Sequence, residues 1–261
     1  EGDFLYAFVA TGYTGGGLNT YTSAVGGPAR FGKVTDTDYE VGWKRASWFD
    51  GHVRSQLNAF YTEYDRFQIT LSDPSVPLNT YEINLPGKTK IYGVEGEAQA
   101  SFGQFSLTGS VGLLKSSLPH FWAVDPRYNR LATGVCDPTT GGPGIYCVNV
   151  KGNPITYAPS ATYNLGAQYE FLLDGGDTLT PRVSFAHVSG QWASIFDNPA
   201  LGDRLGVRDL LGAQLEYQTG GWFFTLYGDN VLNKQYVASN NSGGLYAGPP
   251  RQFGIRLTKA F

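Results

Sequence analysis

The sequence predicts an all-β chain, an antiparallel outer-membrane β-barrel with about ten strands in this chain. Segments in which apolar and polar residues alternate recur from one end of the chain to the other, and helical periodicity is almost absent. Short turns and long loops also alternate strictly between these segments, as they do in outer-membrane barrels. No run in the 261 residues approaches the roughly eighteen apolar residues of a transmembrane helix.

Ten segments carry the strand pattern, and most are long enough to cross a bilayer when tilted. They are residues 3–13, 37–49, 51–69, 90–102, 105–115, 161–173, 178–190, 207–218, 222–232 and 251–261. Turns rich in Asp and Gly, such as Asp50-Gly51 and Gly220-Gly221, join them at one end, as tight hairpins require. The connections at the other end are long and comprise residues 14–36, 71–87, 116–159, 192–206 and 233–250.

The two faces of each predicted strand differ in chemistry. In residues 161–171, Tyr163 and Leu165 lie on one face, and Asn164 and Gln168 lie on the other. The apolar face is aromatic at its ends and small or aliphatic in the middle, which matches a lipid-facing surface with two interfacial girdles. The expected girdle residues are Trp48, Phe49, Tyr169, Phe171, Trp222 and Phe261 near the short turns, and Tyr61, Tyr92, Tyr163 and Phe185 nearer the long loops.

The polar face cannot lie in hydrocarbon, so it is expected to line a lumen. A soluble all-β fold would instead bury the apolar face and would need small residues there. The residues expected on the lumen side are Glu95, Glu97, Gln99, Gln168, Glu170, Arg182, Gln214, Glu216 and Arg256.

Charge and cysteine content narrow the function classes. The net charge of −3 and the lack of a basic cluster argue against a nucleic-acid partner. Cys136 and Cys147 lie in one Gly-, Pro- and Thr-rich segment, which suits a local disulfide in an oxidising compartment, with two unrelated thiols as the alternative. The chain opens without the basic region of a signal peptide, so we expect such a peptide to have been cleaved or the start to be missing.

Five stretches, in chain order, resemble the C-terminal half of TonB-dependent outer-membrane receptors. They are "ATGYTGGGLN" (10–19), "DYEVGWKRASWFDGHVRSQLNAFYTEYDRFQ" (38–68), "PGKTKIYGVEGEAQA" (86–100), "WFFTLYGDNVLNKQYV" (222–237) and "GPPRQFGIRLTKAF" (248–261). The resemblance leaves mainly the long loops and residues 160–218 uncovered. It departs from the family in that neither an N-terminal plug domain nor the first dozen strands can be found.

The resemblance implies that residues 1–261 are the C-terminal portion of a larger barrel of about 22 strands. It also implies import of a scarce nutrient (a siderophore, cobalamin, an oligosaccharide or similar) with energy from the TonB complex, reached through the missing N-terminal part. Plug contacts are expected from Glu95, Glu97, Gln168, Glu170, Gln214, Glu216 and Arg256. The terminal strand, with Phe253, Ile255, Leu257 and Phe261, resembles the signal read by the barrel assembly machinery.

Ligand capture is expected on the long loops, because rigid barrels present their loops as binding surfaces. Aromatic residues with Arg or His suit stacking on a flat ligand or gripping an anionic chelate. The candidates are His120, Trp122, Arg127, Tyr128, Arg130, Trp192, Phe196 and Tyr246. The alternative for these residues is that they pack the loops against each other.

No enzymatic, metal or cofactor site is predicted. The three histidines do not cluster with cysteines or carboxylates at metal-ligand spacing, and no nucleotide-binding or nucleophile motif occurs. A self-contained ten-stranded barrel remains an alternative, either as a passive pore or as a rim enzyme using His187 with Asp197 or His120 with Asp125. A structural role in an envelope complex is a further alternative.

Overall fold

The computed structural model describes residues 2–20, 28–72, 79–125, 127, 147–241 and 244–260. Ten long strands form one antiparallel sheet in which each strand pairs with the next along the chain. They are β1 (Asp3–Thr14), β2 (Val34–Trp48), β3 (Val53–Asp65), β4 (Lys88–Phe102), β5 (Phe105–Ser117), β6 (Ala161–Tyr169), β7 (Thr178–Val188), β8 (Arg208–Thr219), β9 (Trp222–Asp229) and β10 (Gln252–Lys259). The two-residue strand Phe171–Leu172 continues the line of β6 and pairs with β7.

The pairing registers place the polar and apolar residues on opposite faces of the sheet. Side chains of directly paired residues share a face, so a row can be followed from strand to strand. One face carries the row Tyr6, Gly42, Asn58, Glu95, Gly112 and Thr162, and the other carries the row Ala7, Val41, Ala59, Val94, Leu113 and Ala161. The predicted division into a polar and an apolar face is therefore confirmed.

The sheet is open among the described residues, with β1 and β10 at its two edges. A self-contained ten-stranded barrel would pair these edge strands with each other, because closure is what removes edges. The observed sheet therefore does not support that alternative. No helix within the described segments is long and apolar enough to span a membrane.

The short turns follow the predicted chemistry. The two-residue turn between β8 and β9 holds Gly220 at φ 52° and Gly221 at φ 78°, a backbone region that glycine enters without steric cost. The turn after β2 is less regular, since a β-bulge lies between Arg45 and Trp48. The extra residue puts the Trp48 ring 5.7 Å from the Trp43 ring, on the apolar face where an interfacial girdle was predicted.

The long loops contain more regular structure than predicted. Each of the five holds a small antiparallel ribbon, in which short runs pair locally: Gly17–Leu18 with Arg30–Phe31, Gln68–Ser72 with Thr80–Asn84, Trp122–Val124 with Cys147–Asn149, Gln191–Trp192 with Arg204–Leu205, and Val237–Asn241 with Gly244–Ala247. The predicted third strand, 51–69, was too long, because Arg66 at φ 58° interrupts it and the chain enters the second ribbon.

The buried core lies in these loops and not in the sheet. Ile69, Leu85, Leu118 and Val150 pack together and are almost inaccessible to solvent. Side chains on the sheet's apolar face remain open, as shown by exposed fractions of 58% at Leu165 and 76% at Ile255. A sheet with lipid on one side and a lumen on the other needs no buried core of its own.

Aromatic rings cover glycines on the polar face of the sheet. A Cβ added at Gly42 would collide with the Tyr6 ring, and one at Gly254 would collide with the Tyr227 ring. In both cases the aromatic residue is the cross-strand partner of the glycine. These glycines allow a ring to lie flat against the neighbouring backbone, which fixes the position of an otherwise mobile side chain.

Candidate functional site: the loop layer and the sheet's polar face

The loops at one end of the sheet form one connected layer. Asn19 and Glu82 join the first two loops, because the Asn19 side chain donates to the Glu82 carbonyl and accepts from the Glu82 N–H, both at 2.8 Å. The Asn153 side chain donates to the Ile195 carbonyl at 2.8 Å, and the Tyr157 hydroxyl donates to the Asn240 carbonyl at 2.9 Å. The third, fourth and fifth loops are therefore held to one another by buried or half-buried polar contacts.

A charged clasp formed by Asp125, Arg127 and Asp203 joins the third and fourth loops. The Arg127 guanidinium donates to Asp125 Oδ1 and Oδ2 at 2.8 and 2.7 Å and also bonds both oxygens of Asp203. Both carboxylates are buried, with exposed fractions of 0% and 1%. Burial alone lowers the pKa of Arg127, but the hydrogen bonds and charges of the two carboxylates outweigh it and hold the pKa above its ordinary value.

Asp197 lies next to this clasp in an unfavourable environment for its charge. Its Oδ1 is buried and has no hydrogen-bond partner in the described part of the chain. Burial, followed by the negative charge of Asp203, raises the pKa of Asp197 to about 7, and Arg204 opposes this shift. Asp197 also has a positive φ of 51°, so its backbone is strained as well.

Contacts within the loop layer change the interpretation of three predicted ligand-binding residues. The Arg127 guanidinium is committed to two carboxylates and lies 5.7 Å from the Phe196 ring centroid, while Phe196 packs against the loop core. Trp192 is covered by the guanidinium of Arg204, 5.0 Å from the indole centroid. The contacts of Arg127, Phe196 and Trp192 are those of loop packing, which was the alternative interpretation of these residues.

Other predicted ligand-binding residues are accessible. His120 is exposed with its ring 6.2 Å from that of Trp122, and Tyr246 has an exposed fraction of 57%. The structure does not bring Tyr246 together with the His120–Trp122 pair in any described contact. Tyr128 and Arg130 lie outside the described residues.

The predicted lumen residues fall on the polar face of the sheet. Glu97 accepts hydrogen bonds from Gln56 and Gln99 at 3.1 and 3.0 Å, and Glu216 accepts one from Thr225 at 3.1 Å. The remaining members of the set are distributed along the same face. Glu95, Glu170 and Arg256 are exposed, whereas Gln168 and Gln214 are half-buried.

An aromatic ladder on β1 was not predicted from the sequence. The rings of Phe4, Tyr6 and Phe8 stack with centroids 6.0 and 6.3 Å apart, and the Tyr6 hydroxyl donates to Glu40 at 2.6 Å. The strand is apolar on both faces, so alternation alone cannot show which residues face the lumen. The pairing of Tyr6 with Gly42 places the ladder on the polar face.

The histidine–carboxylate pairs considered for a rim enzyme are not those that the structure forms. His187 Nδ1 lies 2.6 Å from Asp209 Oδ1, its cross-strand partner, and not beside Asp197. Among the described residues, no group of three or more His, Cys, Asp or Glu side chains could hold a metal ion.

Two further predictions each involve a residue outside the described part of the chain. Cys136 is one such residue, so its disulfide with Cys147 remains a prediction. In the final strand, Phe253, Ile255 and Leu257 project from the apolar face with exposed fractions of 56–76%, while Phe261 is not described.

A family model described as "TonB dependent receptor-like, beta-barrel" matches residues 3–243. This chain belongs to that family. The solved structure of the ferric yersiniabactin uptake receptor FyuA from Yersinia pestis is similar to it, at 20% identity over 96% of this chain and 34% of that chain, with a TM-score of 0.71.

Two further solved structures have the same fold. The siderophore receptor PiuA from Acinetobacter baumannii is 15% identical over 98% of this chain and 33% of that chain, with a TM-score of 0.69. The copper transporter OprC is 11% identical over 99% of this chain and 37% of that chain, with a TM-score of 0.65. This chain therefore spans about a third of the length of the solved structures that it resembles.

Proposed function

We propose that residues 1–261 are the C-terminal portion of an outer-membrane receptor that captures a scarce nutrient on its extracellular loops and imports it with TonB-derived energy. The open ten-stranded sheet, with one apolar face and one polar face, is the observation that carries this proposal. It is supported by membership of the TonB-dependent receptor-like barrel family and by the share of each solved structure that the chain spans. A whole barrel of about 22 strands would surround a plug domain.

In this proposal the polar face contacts the plug. Charged and amide side chains on a lumen wall can exchange hydrogen bonds with a domain that must later move, whereas a tightly packed apolar contact would resist that movement. The proposed contacts are Glu95, Glu97, Gln168, Glu170, Gln214, Glu216 and Arg256. The exposed members of the set have side chains free of dense packing.

The proposed ligand contacts are the loop residues. His120 and Tyr246 are the exposed candidates, Trp122 is half-buried beside His120, and Tyr128 and Arg130 complete the proposed set. Arg127, Trp192 and Phe196 contribute through the loop layer that positions the others. The substrate class that we propose is a small, scarce nutrient such as a metal chelate, since similar structures include siderophore receptors and a copper transporter.

The remaining partners follow from the same proposal. The apolar face contacts outer-membrane lipid, the TonB complex acts through the N-terminal part of the protein, and the barrel assembly machinery recognises the final strand. The protein is a transporter and not an enzyme. We propose that Cys136 and Cys147 form a disulfide that closes the loop between β5 and β6.

The first experiment is the intact mass of the native polypeptide purified from outer membranes, compared with the 28.3 kDa of this chain. We expect a mass about two and a half to three times larger, as a barrel of about 22 strands with a plug requires. A native mass near that of this chain would overturn the proposal of energised transport. Uptake of candidate chelates with and without TonB then tests the energy source.

A further inference from the structure

Two arginines at the loop end of β8 have guanidinium groups with no hydrogen bond or ion pair in the described part of the chain. Arg204 lies in the ribbon of the fourth loop and is exposed, and Arg208 is the first residue of β8 and is half-buried. The carboxylates next to them in the sequence are engaged elsewhere, since Asp203 belongs to the clasp and Asp209 pairs with His187. Two positive charges are therefore available at this end of the sheet.

An aromatic ring orients each of these guanidinium groups. The guanidinium carbon of Arg204 lies 5.0 Å from the Trp192 ring centroid, and that of Arg208 lies 5.8 Å from the Tyr236 ring centroid. A ring attracts the cation but takes up none of its N–H donors, which lie in the guanidinium plane. Both arginines therefore keep the donors with which a guanidinium binds a carboxylate in bidentate fashion.

Two glycines make room for these contacts. A Cβ added at Gly190 would lie 2.7 Å from Arg204 Nη2, and one at Gly248 would lie 2.1 Å from Cζ of Tyr236. Both close approaches need a residue without a side chain, so the arginine–aromatic pairs are held in place before any ligand binds. Donors that are already ordered lose less conformational entropy on binding.

Both arginines lie where the polar face of the sheet meets the loops. The cross-strand neighbours of Arg208 are Val188 and then Thr162, which belong to the polar row described above. The Arg204 guanidinium covers Gly190, which is two residues beyond Val188, or about 7 Å along an extended chain. The two charges therefore occupy neighbouring levels at the loop-side rim of the polar face.

Asp197 does not neutralise this rim. The positive charge of Arg204 opposes the rise in the pKa of Asp197, but their side chains form no ion pair among those described. Burial and the charge of Asp203 keep the pKa of Asp197 at about 7, so its carboxyl is only partly ionised at neutral pH. Most of the positive charge of the two arginines is therefore left for a ligand.

We propose that Arg204 and Arg208 form an anion-binding site and that the nutrient is a ligand carrying two or more carboxylates, such as an anionic chelate. Each guanidinium offers a planar pair of donors that matches a carboxylate. The site rests on the proposed function and narrows its substrate class to anions. Neither arginine was among the predicted ligand-binding residues, because the rings that orient them come from other segments of the chain.

The test is calorimetric titration of the full-length protein in detergent with tricarballylate, a simple tricarboxylate. Arg204→Gln and Arg208→Gln are each expected to weaken binding about ten-fold, through loss of a charged hydrogen-bonded contact. Arg30→Gln is the matched control, because it removes the same charge from an exposed position in the ribbon of the first loop. It should bind tricarballylate like the wild type, and the uncharged triamide of tricarballylate should not bind the wild type.

Three results would overturn the anion site. They are a wild-type protein that does not bind tricarballylate, arginine variants that bind it as tightly as the wild type, and an equal loss of binding in Arg30→Gln, which would show a general effect of charge. Arg204 is exposed, so Arg204→Gln is expected to unfold at the wild-type temperature. Weakened binding in this folded variant supports the site even if Arg208→Gln fails to fold.

The native mass separates this site from the proposed function. A native polypeptide near 28.3 kDa that binds tricarballylate through both arginines would overturn energised transport and leave the anion site in place. A polypeptide of the expected larger mass, in which tricarballylate binding does not depend on Arg204 or Arg208, would overturn the anion site alone.

Discussion

Glycine and tyrosine occupy complementary positions on the polar face of the sheet. Tyr227 lies against Gly254 on the neighbouring strand, and the space for its ring exists only because Gly254 has no side chain. The guanidinium of Arg256 then lies 5.4 Å from the Tyr227 ring centroid. One glycine therefore determines the position of two larger side chains on the polar face of the sheet.

Gly254→Ala is expected to destabilise the full-length protein by about 1–3 kcal/mol, because overpacking displaces the Tyr227 ring. The measurement is thermal or denaturant unfolding in detergent. Gly109→Ala is the matched control in the same sheet, since its new Cβ would come no closer than 3.4 Å to Leu165. Equal effects of the two substitutions would show that the packing of Tyr227 against Gly254 does not contribute to stability.

Asp197 makes the stability of the loop layer depend on pH. Its pKa lies at about 7 in the folded protein, above the ordinary value of 3.8, so the folded state holds this proton more tightly than the unfolded state. The stability due to the protonated carboxyl is therefore fully present below pH 3.8 and is lost as the pH rises towards 7.

The substitution Asp197→Asn replaces the carboxyl group with an amide that is uncharged at every pH. The variant should unfold at a higher temperature than the wild type at pH 8 and at nearly the same temperature below about pH 3.8, where the carboxyl is protonated in both the folded and the unfolded state, as followed by thermal unfolding. A temperature difference that is the same at both pH values would contradict the assigned titration. Asp174→Asn, in a short turn at the opposite end of the sheet, is the control.

At the scale of elements, the clasp of Asp125, Arg127 and Asp203 holds two loop ribbons together. The ribbons are too short to be stable alone, because an isolated two-stranded hairpin is marginal in water. Their order depends on the buried core of the loop layer and on this three-residue clasp. An arginine that the sequence offers as a ligand contact thus has an observed role in holding the loops.

Arg127→Met is expected to destabilise the loop layer by about 3–5 kcal/mol, because it leaves two buried carboxylates without their cation. Amide hydrogen exchange should rise in residues 147–157 and 191–205 and stay unchanged in the strands. Lys151→Met, at an exposed position in the same loop, should alter neither. Unchanged exchange in the Arg127 variant would show that the clasp does not hold the loops.

The strands and their faces were predictable, whereas the loop structure was not. Alternation in β6 is clear because Tyr163 and Leu165 lie on the apolar face while Asn164 and Gln168 lie on the polar face. The end of β3 was misjudged, because the strand pattern continues past Arg66 and only its positive φ reveals the break. The ribbons in the loops pair short runs within each loop, but their order depends on contacts between different loops, which leave no local signal in the sequence.

At the scale of the whole molecule, all short turns lie at one end of the sheet and all long loops at the other. The proposed location places the loops outside the cell and the turns in the periplasm. In intact cells, a bulky membrane-impermeant maleimide is expected to label Lys151→Cys and to label Gln104→Cys only after the outer membrane is disrupted. Labelling of Gln104→Cys in intact cells would reverse the orientation.

The sequence by itself determined the class of fold, the number of strands and the division of their faces, because alternation and turn chemistry are local properties. The family resemblance could also be found from the sequence alone, in stretches that retain the alternation and the turn residues. Only the tertiary structure decided which loop residues meet. Arg127 finds its second carboxylate on Asp203, 76 residues further along the chain, and the position of the Tyr6 ring against Gly42 becomes visible only when the strand register pairs these two residues. Contacts of this kind depend on how separate strands are brought together, which no local pattern encodes.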